Sequence, residues 1–347
     1  MPTIPAPELK RLAVDILGGA GADAREARIV GDHLVAANLA GHDSHGVMRV
    51  LQYVQEIEAG RIKPRAELRV IDEWDSGAVL DAQGLFGQVS CQRAMQTAIE
   101  KSGTASLAAV TIRGSNHSGR LGAYVAMAAD AGRIGIVMAN GGGAGQWVAP
   151  FGGRERRLST NPIAIGAPSG GPFPFVLDIS TSVAPEGKVS DYLQRGQPVP
   201  DGWLLDQHGR PTNDSRTLYV DPAGALLPFG GTAGHKGFGL AFMVDVFAGA
   251  LSAAGCPRPE MIDASHGSGL CMLAIDIERF VPLPDFLERV REMAEYVKSS
   301  RPAAGFDEVL VPGEFEFRQR LQREETGIAV PEDVWKQLNN LAERLCV

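Results

Sequence analysis

The chain has 347 residues, 44% hydrophobic and 21% charged, with a formal charge of -8 and no long Lys/Arg run. That length suits two or three structural units with an ordinary core, and the charge balance gives no footing to nucleic-acid or anionic-membrane binding. No apolar run reaches the roughly 20 residues that span a bilayer; Cys91, Cys256, Cys271 and Cys346 form no C-x-x-C pair, and MPTIPAPELK lacks the basic and apolar regions of a secretory leader, so a cytoplasmic setting is expected.

In chain order, PELKRLAVDILGGAG and DAREARIVGDHLVAANLAG read as helices, the second with Val30, Leu34 and Ala37 on one stripe. His33, inside it, reads as a surface or packing residue. GVMRVLQYVQEIEAG is a further helix whose buried face is Val47, Val50, Leu51, Val54 and Ile57. His45, Arg49 and Tyr53 follow at i, i+4 and i+8 on another face. The middle then alternates. AVLDAQG and SLAAVTIRG are strands around the helix GQVSCQRAMQTAIEKSG; GRLGAYVAMAADAG is a helix, and RIGIVMAN, NPIAIGAP and FPFVLDIS are strands. Residues 185–234 are rich in Pro, Gly and Asp and read as loops. GFGLAFMVDVFAGALSAAG is a long apolar core helix, GLCMLAIDI a strand, and the tail returns to three helices. Helical ends around a sheet-bearing middle predict a layered α/β protein in which both ends pack together.

The stretch GHDSHGVMR (Gly41–Arg49) gathers groups suited to a small acid. An arginine clamps a carboxylate through two parallel bonds, a histidine moves a proton near neutrality, and a serine binds a carbonyl oxygen. Asp43 and Ser44 are equally good helix caps. In VTIRGSNHSGRLGAYVAMAA a strand enters a Gly-rich turn carrying His117 and then a helix, whose N-terminus favours anions. Gly114 to Gly119 has P-loop spacing but is followed by Arg120, and Gly141, Gly143 and Gly145 lack the rest of a dinucleotide fingerprint, so a Rossmann fold is disfavoured. His235 and Lys236 stand at another Gly-rich helix entry. Arg154, Arg156 and Arg157 form a basic turn that suits solvent, an interface or a phosphate. His42, His45 and His117 offer no recognised zinc spacing, and G-x-S-x-G is absent.

Taken in order, GHDSHGVMRVLQY, GSNHSGRLGAYVAMAADAGRIGIVMAN, APFGGRERRLSTNPIAIGAP, FVLDISTSVAPEGKV, LLPFGG with GHKGFGLAFMVDVFAGALSAAG, LAIDIERF and VPGEFEFRQRLQREETGI resemble the malate/L-lactate dehydrogenase family, a group outside the Rossmann superfamily. The resemblance covers nearly the whole chain. It implies reversible hydride transfer between NAD(P)H and a 2-oxo acid, with no metal. It implies His117 as the acid/base, with His45 (itself a candidate proton donor) and Ser44 at the substrate oxygen. Arg49 becomes the carboxylate clamp, with Tyr53, Thr160 and Asn161 lining the cleft. The cofactor, NAD or NADP, is expected on Gly119, Arg120, Leu121 and Gly122, on Asp178, Ile179, Ser180, Thr181 and Ser182, on Lys188, His235 and Lys236, and on the turn Pro312, Gly313, Glu314. The implied fold is a non-Rossmann mixed-sheet cofactor domain plus a helical domain from both ends. Its expected parts are residues 1–62 with 315–347 for dimerisation, 63–128 with 282–314 on the substrate side, and 129–281 for the cofactor. A homodimer with sites near the interface is expected.

Three other readings stay open at this stage. A cyclic imino acid is a second substrate class for the same fold. A metal-dependent hydrolase or lyase would use His42, His45 and His117, and a non-catalytic sugar-acid binder would keep the scaffold alone.

Overall fold

The computed structural model describes residues 1–261 and 267–347. At the N-terminus β1 (Thr3–Ile4) leads into α1 (Ala6–Gly19), α2 (Ala24–Leu39) and α3 (Arg49–Glu58). Asp23 starts α2 with a reciprocal capping box to Glu26, satisfying two otherwise orphaned amides. The sheet region follows: β2 (Arg69–Trp74), β3 (Gly77–Asp81), α4 (Gly87–Ala105), β4 (Leu107–Ser115), α5 (Gly122–Asp130), β5 (Arg133–Asn140), β6 (Ile163–Ala167) and β7 (Phe175–Ile179). A smaller unit carries α6 (Glu186–Gln194), β8 (Leu204–Leu205), β9 (Pro211–Thr212) and β10 (Ala225–Leu226). Then come α7 (Gly234–Val244), β11 (Ser268–Asp276), α8 (Leu283–Lys298), α9 (Glu314–Thr326), β12 (Ile328–Ala329) and α10 (Glu332–Arg344).

The two ends of the chain meet as expected. Strand β1 pairs antiparallel with β12, Thr3 opposite Ala329. Leu9, Ile16, Leu17, Val30 and Leu34 from the N-terminal helices share one buried cluster with Val334 and Leu338 of α10.

The main sheet has seven strands in the order β2-β3-β4-β11-β5-β6-β7, so the late strand β11 lies at its centre. Only β3 and β4 run parallel; the other neighbours are antiparallel. The alternation of β11 places its layers. Leu270, Met272 and Ala274 pack with Cys91, Met95, Tyr124 and Val125 from α4 and α5. Cys271 faces the opposite layer, with Val244 and Ala248. Period two on a sheet buried on both faces demands apolar residues at both parities, as this strand has.

Two features depart from the sequence reading. The loop-rich stretch 185–234 holds α6 and a three-stranded sheet in the order β10-β8-β9, whose two-residue strands are too short to leave an alternating pattern. The long apolar helix is not uniform: α7 passes at Asp245 into a π-helix to Leu251, a local widening that hydrophobic periodicity does not reveal.

Candidate active site

The His117 turn is built before its ring is placed. Strand β4 ends at Ser115, whose hydroxyl lies 2.8 Å from that of Ser90. The Asn116 amide donates to the carbonyls of Gly84 and Leu85, at 2.7 and 3.1 Å. Gly87 at the start of α4 lies against this turn so closely that a Cβ would fall 2.2 Å from the His117 carbonyl oxygen. The half-buried His117 ring then has one nitrogen engaged: Nδ1 is 2.7 Å from the Tyr53 hydroxyl. Gln88 Nε2 donates to that hydroxyl from the other side, also at 2.7 Å.

The opening motif forms the facing wall. Asp43–His45 is a single 3-10 turn, and α3 begins only at Arg49. The expected helix from Gly46 therefore starts later, and His45 does not share a helical stripe with Arg49 and Tyr53. Asn38 is the physical reason. Its Oδ1 takes the Val47 N–H at 2.8 Å, and a Cβ on Gly46 would lie 2.2 Å from that oxygen. Asp43 is gripped by Asn38 and by both terminal nitrogens of Arg323, at 2.7 and 3.1 Å. Arg49 Nε donates to the Ser44 carbonyl at 2.7 Å and Nη1 to Gln52 at 2.6 Å. Among the described residues its Nη2 makes no bond. The His45 ring meets that of His117 edge-on, with centroids 5.3 Å apart, and its Nδ1 is 3.4 Å from the Ser44 hydroxyl. Tyr53 is fully buried, its hydroxyl turned to His117 and Gln88.

Burial sets the electrostatics. It pushes His117 well below the ordinary histidine range, with Arg49, His45 and His33 adding to the effect. His45 is held down to about 4 by burial first and then by Arg49. Both rings are neutral at neutral pH, and the Arg49 charge acts on both. Burial also pushes the Tyr53 phenol up to about 12, so it keeps its proton.

A second group of expected residues adjoins the first. Gly119 adopts a left-handed φ of +72°, and a Cβ there would fall 2.3 Å from His33 Nε2. Gly122 N–H donates to Asp178 at 2.7 Å. Burial pushes the Asp178 carboxyl up, against the pull of that N–H and of Arg120, 3.8 Å away. Arg120 Nε is buried without a hydrogen-bond partner among the described residues. A backbone turn opening helix α5, an orphaned guanidinium nitrogen and a positioned carboxyl fit a group carrying both anionic and hydroxyl parts. Leu121 beneath them is core.

The other expected residues fall in different places. Thr181 donates from its hydroxyl to the carbonyls of Thr160 and Asn161, both at 3.0 Å, joining those two stretches. Asn161 has no exposed surface; its amide donates to Ala241 O at 3.0 Å and to Asp245 at 2.6 Å. Ile179, Ser180 and Ser182 continue from Asp178, and the Ser180 hydroxyl donates to the Ser182 carbonyl. Pro312 accepts the Val176 N–H of β7, while Glu314 is buried and ion-paired to Lys298 and Arg318. Lys188 is exposed on α6, and His235 and Lys236 are exposed at the start of α7. Arg156 lies over the Trp147 ring. His42 sits 3.4 Å from Glu316. Among the described residues no three His, Cys, Asp or Glu side chains are grouped to hold a metal ion, and no helix is long and apolar enough to cross a membrane.

The profile of the family described as malate/L-lactate dehydrogenase matches residues 4–339. The chain belongs to that family. A malate dehydrogenase of Pyrococcus horikoshii is 39% identical over 350 residues, spanning 99% of this chain and 96% of the relative. The crystal structure of malate dehydrogenase from Entamoeba histolytica superposes with a TM-score of 0.94 at 30% identity, covering 100% of this chain and 98% of that one. The Δ1-piperideine-2-carboxylate reductase from Pseudomonas syringae pvar. tomato superposes at 0.83 with 28% identity, covering 99% and 100%. This chain thus has the malate/L-lactate dehydrogenase fold, a mixed α/β sheet with helices from both ends, and is similar throughout to enzymes that act on hydroxy acids.

Within this member of the malate/L-lactate dehydrogenase family, several supporting residues escaped the sequence reading. Gln88 looks like any polar residue of an amphipathic helix. Asn38 and Arg323 act across the joined ends. His33 does pack, stacking on Tyr124 at 5.3 Å, but it also accepts the Arg120 N–H at 2.9 Å and so holds the glycine turn. Two glycines at 114 and 119 around His117 were the signal for a turn; nothing local marked what would lean on it.

Proposed function

We propose that this chain is a cytoplasmic, homodimeric NAD(P)-dependent oxidoreductase interconverting a small 2-oxo acid and its 2-hydroxy acid, of the malate or lactate kind. One observation carries the reading: the His117 ring, held at Nδ1 by Tyr53 and with Nε2 unbonded among the described residues, meets the His45 ring at 5.3 Å, and His45 stands beside Ser44, whose carbonyl holds the Arg49 guanidinium. Proton transfer and carboxylate binding then fall on one small anion.

Gly119 to Gly122, Asp178 to Ser182 and the Pro312–Glu314 turn would hold the nicotinamide cofactor, with Lys188 reaching it from α6 and His235 and Lys236 from the start of α7. When bound, that group donates or accepts the hydride at the substrate's second carbon. Arg49 binds the carboxylate through Nη1 and Nη2, while its Nε stays on Ser44. Ser44 and His45 steady the reacting oxygen. His117 takes the hydroxyl proton at Nε2 during oxidation and returns it during reduction. The ring is neutral in the free protein, which suits it as a base. The substrate carboxylate offsets the Arg49 charge and so raises the ring's proton affinity, which supplies the acid for reduction. Thr160 lines the cleft, and Asn161 fixes its turn through Asp245. No step calls on a metal. Residues 1–62 with 315–347 serve dimerisation, 63–128 with 282–314 the substrate side and 129–281 the cofactor.

A second reading draws on the likeness to the piperideine-2-carboxylate reductase: a cyclic imino acid in the same cleft, His117 serving the ring nitrogen. A panel of 2-oxo acids and cyclic imines, each assayed with NADH and with NADPH and repeated after EDTA, separates the two. Consumption of reduced cofactor with a 2-oxo acid is expected, undiminished by EDTA. Activity on imines alone selects the second reading. Turnover of neither class, with no quenching of NADH fluorescence on mixing, rejects both.

A further inference from the structure

We infer that Gln88 is a positioning residue for proton transfer, its amide setting, through Tyr53, which nitrogen of His117 carries the proton. The inference rests on the reading of His117 as acid/base.

Gln88 is the second residue of α4 and is 1% exposed, as is Tyr53. The three groups form a chain: Gln88 Nε2 to Tyr53 Oη at 2.7 Å, and Tyr53 Oη to His117 Nδ1 at 2.7 Å. The other end of the amide, Oε1, is buried with no partner among the described residues. A carboxamide has a donor end and an acceptor end of nearly the same shape, so a half-turn of the group exchanges them without changing the packing. One end is without a partner either way, so the surroundings do not fix the direction.

The direction matters to chemistry. With Nε2 on the phenol oxygen, the Tyr53 proton points to His117 Nδ1, and the ring's own proton sits on Nε2. That ring can hydrogen-bond a keto oxygen but has no lone pair for a hydroxyl proton. With Oε1 on the phenol, Tyr53 donates to Gln88 and Nδ1–H donates to Tyr53. Nε2 then faces the cleft as a base. The imidazolium formed when Nε2 takes the proton needs this second direction too, because both its nitrogens carry hydrogen. A carboxylate at position 88 would accept only, and an apolar side chain would leave the phenol no acceptor but Nδ1. The ionisable groups around the His117 ring are Tyr53, His45, Arg49 and His33, and the pH profile is read against all of them.

The test uses the full-length protein with selective ¹⁵N-histidine labelling, His117→Ala assigning the signal. In Gln88→Met the free-protein His117 spectrum should report the Nε2–H tautomer alone, and turnover in both directions should fall about 10- to 100-fold. NADH affinity by fluorescence should stay within about twofold of wild type. Gln88→Glu keeps an acceptor. It should exceed Gln88→Met in turnover at least about tenfold and move the acid limb of hydroxy-acid oxidation upward. If Gln88→Glu does not fold, Tyr53→Phe decides: the Gln88→Met cost should vanish in that background. Gln88→Met turnover within twofold of wild type, an Nδ1–H signal for His117 in Gln88→Met, or costs of Gln88→Met and Tyr53→Phe that multiply would each overturn the inference. His117→Ala at near-native rate would remove the acid/base reading itself, whereas an inactive His117→Ala beside a native-like Gln88→Met ends only the role of Gln88.

Discussion

The surroundings of His33 and of His117 are alike in burial and opposite in the partner each ring meets. Both rings are kept neutral chiefly by burial, His33 down to about 3. The Nε2 of His33 accepts a backbone N–H, that of Arg120. An amide cannot reverse its role, so the His33 tautomer is fixed and its ring is part of the scaffold. His117 is bound at Nδ1 by a hydroxyl, which can donate or accept, and its other nitrogen makes no bond among the described residues. The difference is in the partner, not the histidine: a one-way donor makes a strut, and a two-way partner leaves a proton free to move.

The comparison breaks most sharply at His117. His117→Ala should lower turnover by about 100-fold or more while cofactor binding, followed by NADH fluorescence, changes little. A variant with near-native turnover would make His117 a strut like His33. Arg49→Lys is the next largest effect. An ammonium cannot offer two parallel donors and would also release Ser44, so the Michaelis constant for the acid should rise about tenfold or more, with a smaller change in kcat. An unchanged constant would detach the guanidinium from the substrate. Proton uptake comes third. At pH 7, mixing the protein loaded with oxidised cofactor, which has no hydride to give, with a 2-oxo acid in weak buffer should draw up to about one proton per site, if the carboxylate raises His117 as argued. No uptake would place the donor elsewhere.

What could be read in advance follows from range. Strands, the glycine turn and the early polar motif lie in local pattern, and the ordered motifs carried the family. The expected residues at Gly119 to Gly122 and at Asp178 do meet, although they are far apart in the chain, because β7 runs beside β6 and toward α5. Gln88, Asn38 and Arg323 were illegible for the opposite reason. Each is an ordinary polar residue on a helix, given meaning only by a partner that folding brings near: Tyr53, the Val47 amide or Asp43. Tyr53 shows the same limit. Its spacing from Arg49 suggested a shared polar face, but a phenol can be buried wherever its hydroxyl is satisfied at both sides.

The smallest expected effect tests the strut itself. His33 takes up a proton at about 6.5 in the unfolded chain and only near 3 in the folded one. Below pH 6.5 the unfolded chain therefore binds the extra proton, and stability falls with falling pH until the folded value is reached. From pH 7 to 5 this one ring should cost about 2 kcal/mol. His33→Gln removes that titration and keeps an oxygen to accept the Arg120 N–H, but loses the stacking on Tyr124. The variant should be the less stable protein at pH 7 by about 1 kcal/mol, and its denaturant midpoint should fall less steeply on acidification. The buried carboxyls, His45 and His117 titrate in both proteins and cancel in the difference. Parallel curves from pH 7 to 5 would mean that His33 takes up its proton in the folded chain as readily as in the unfolded one; on acidification its Nε2 would then give its lone pair to that proton and not to the Arg120 amide, and the distinction between strut and proton carrier would have to be drawn elsewhere.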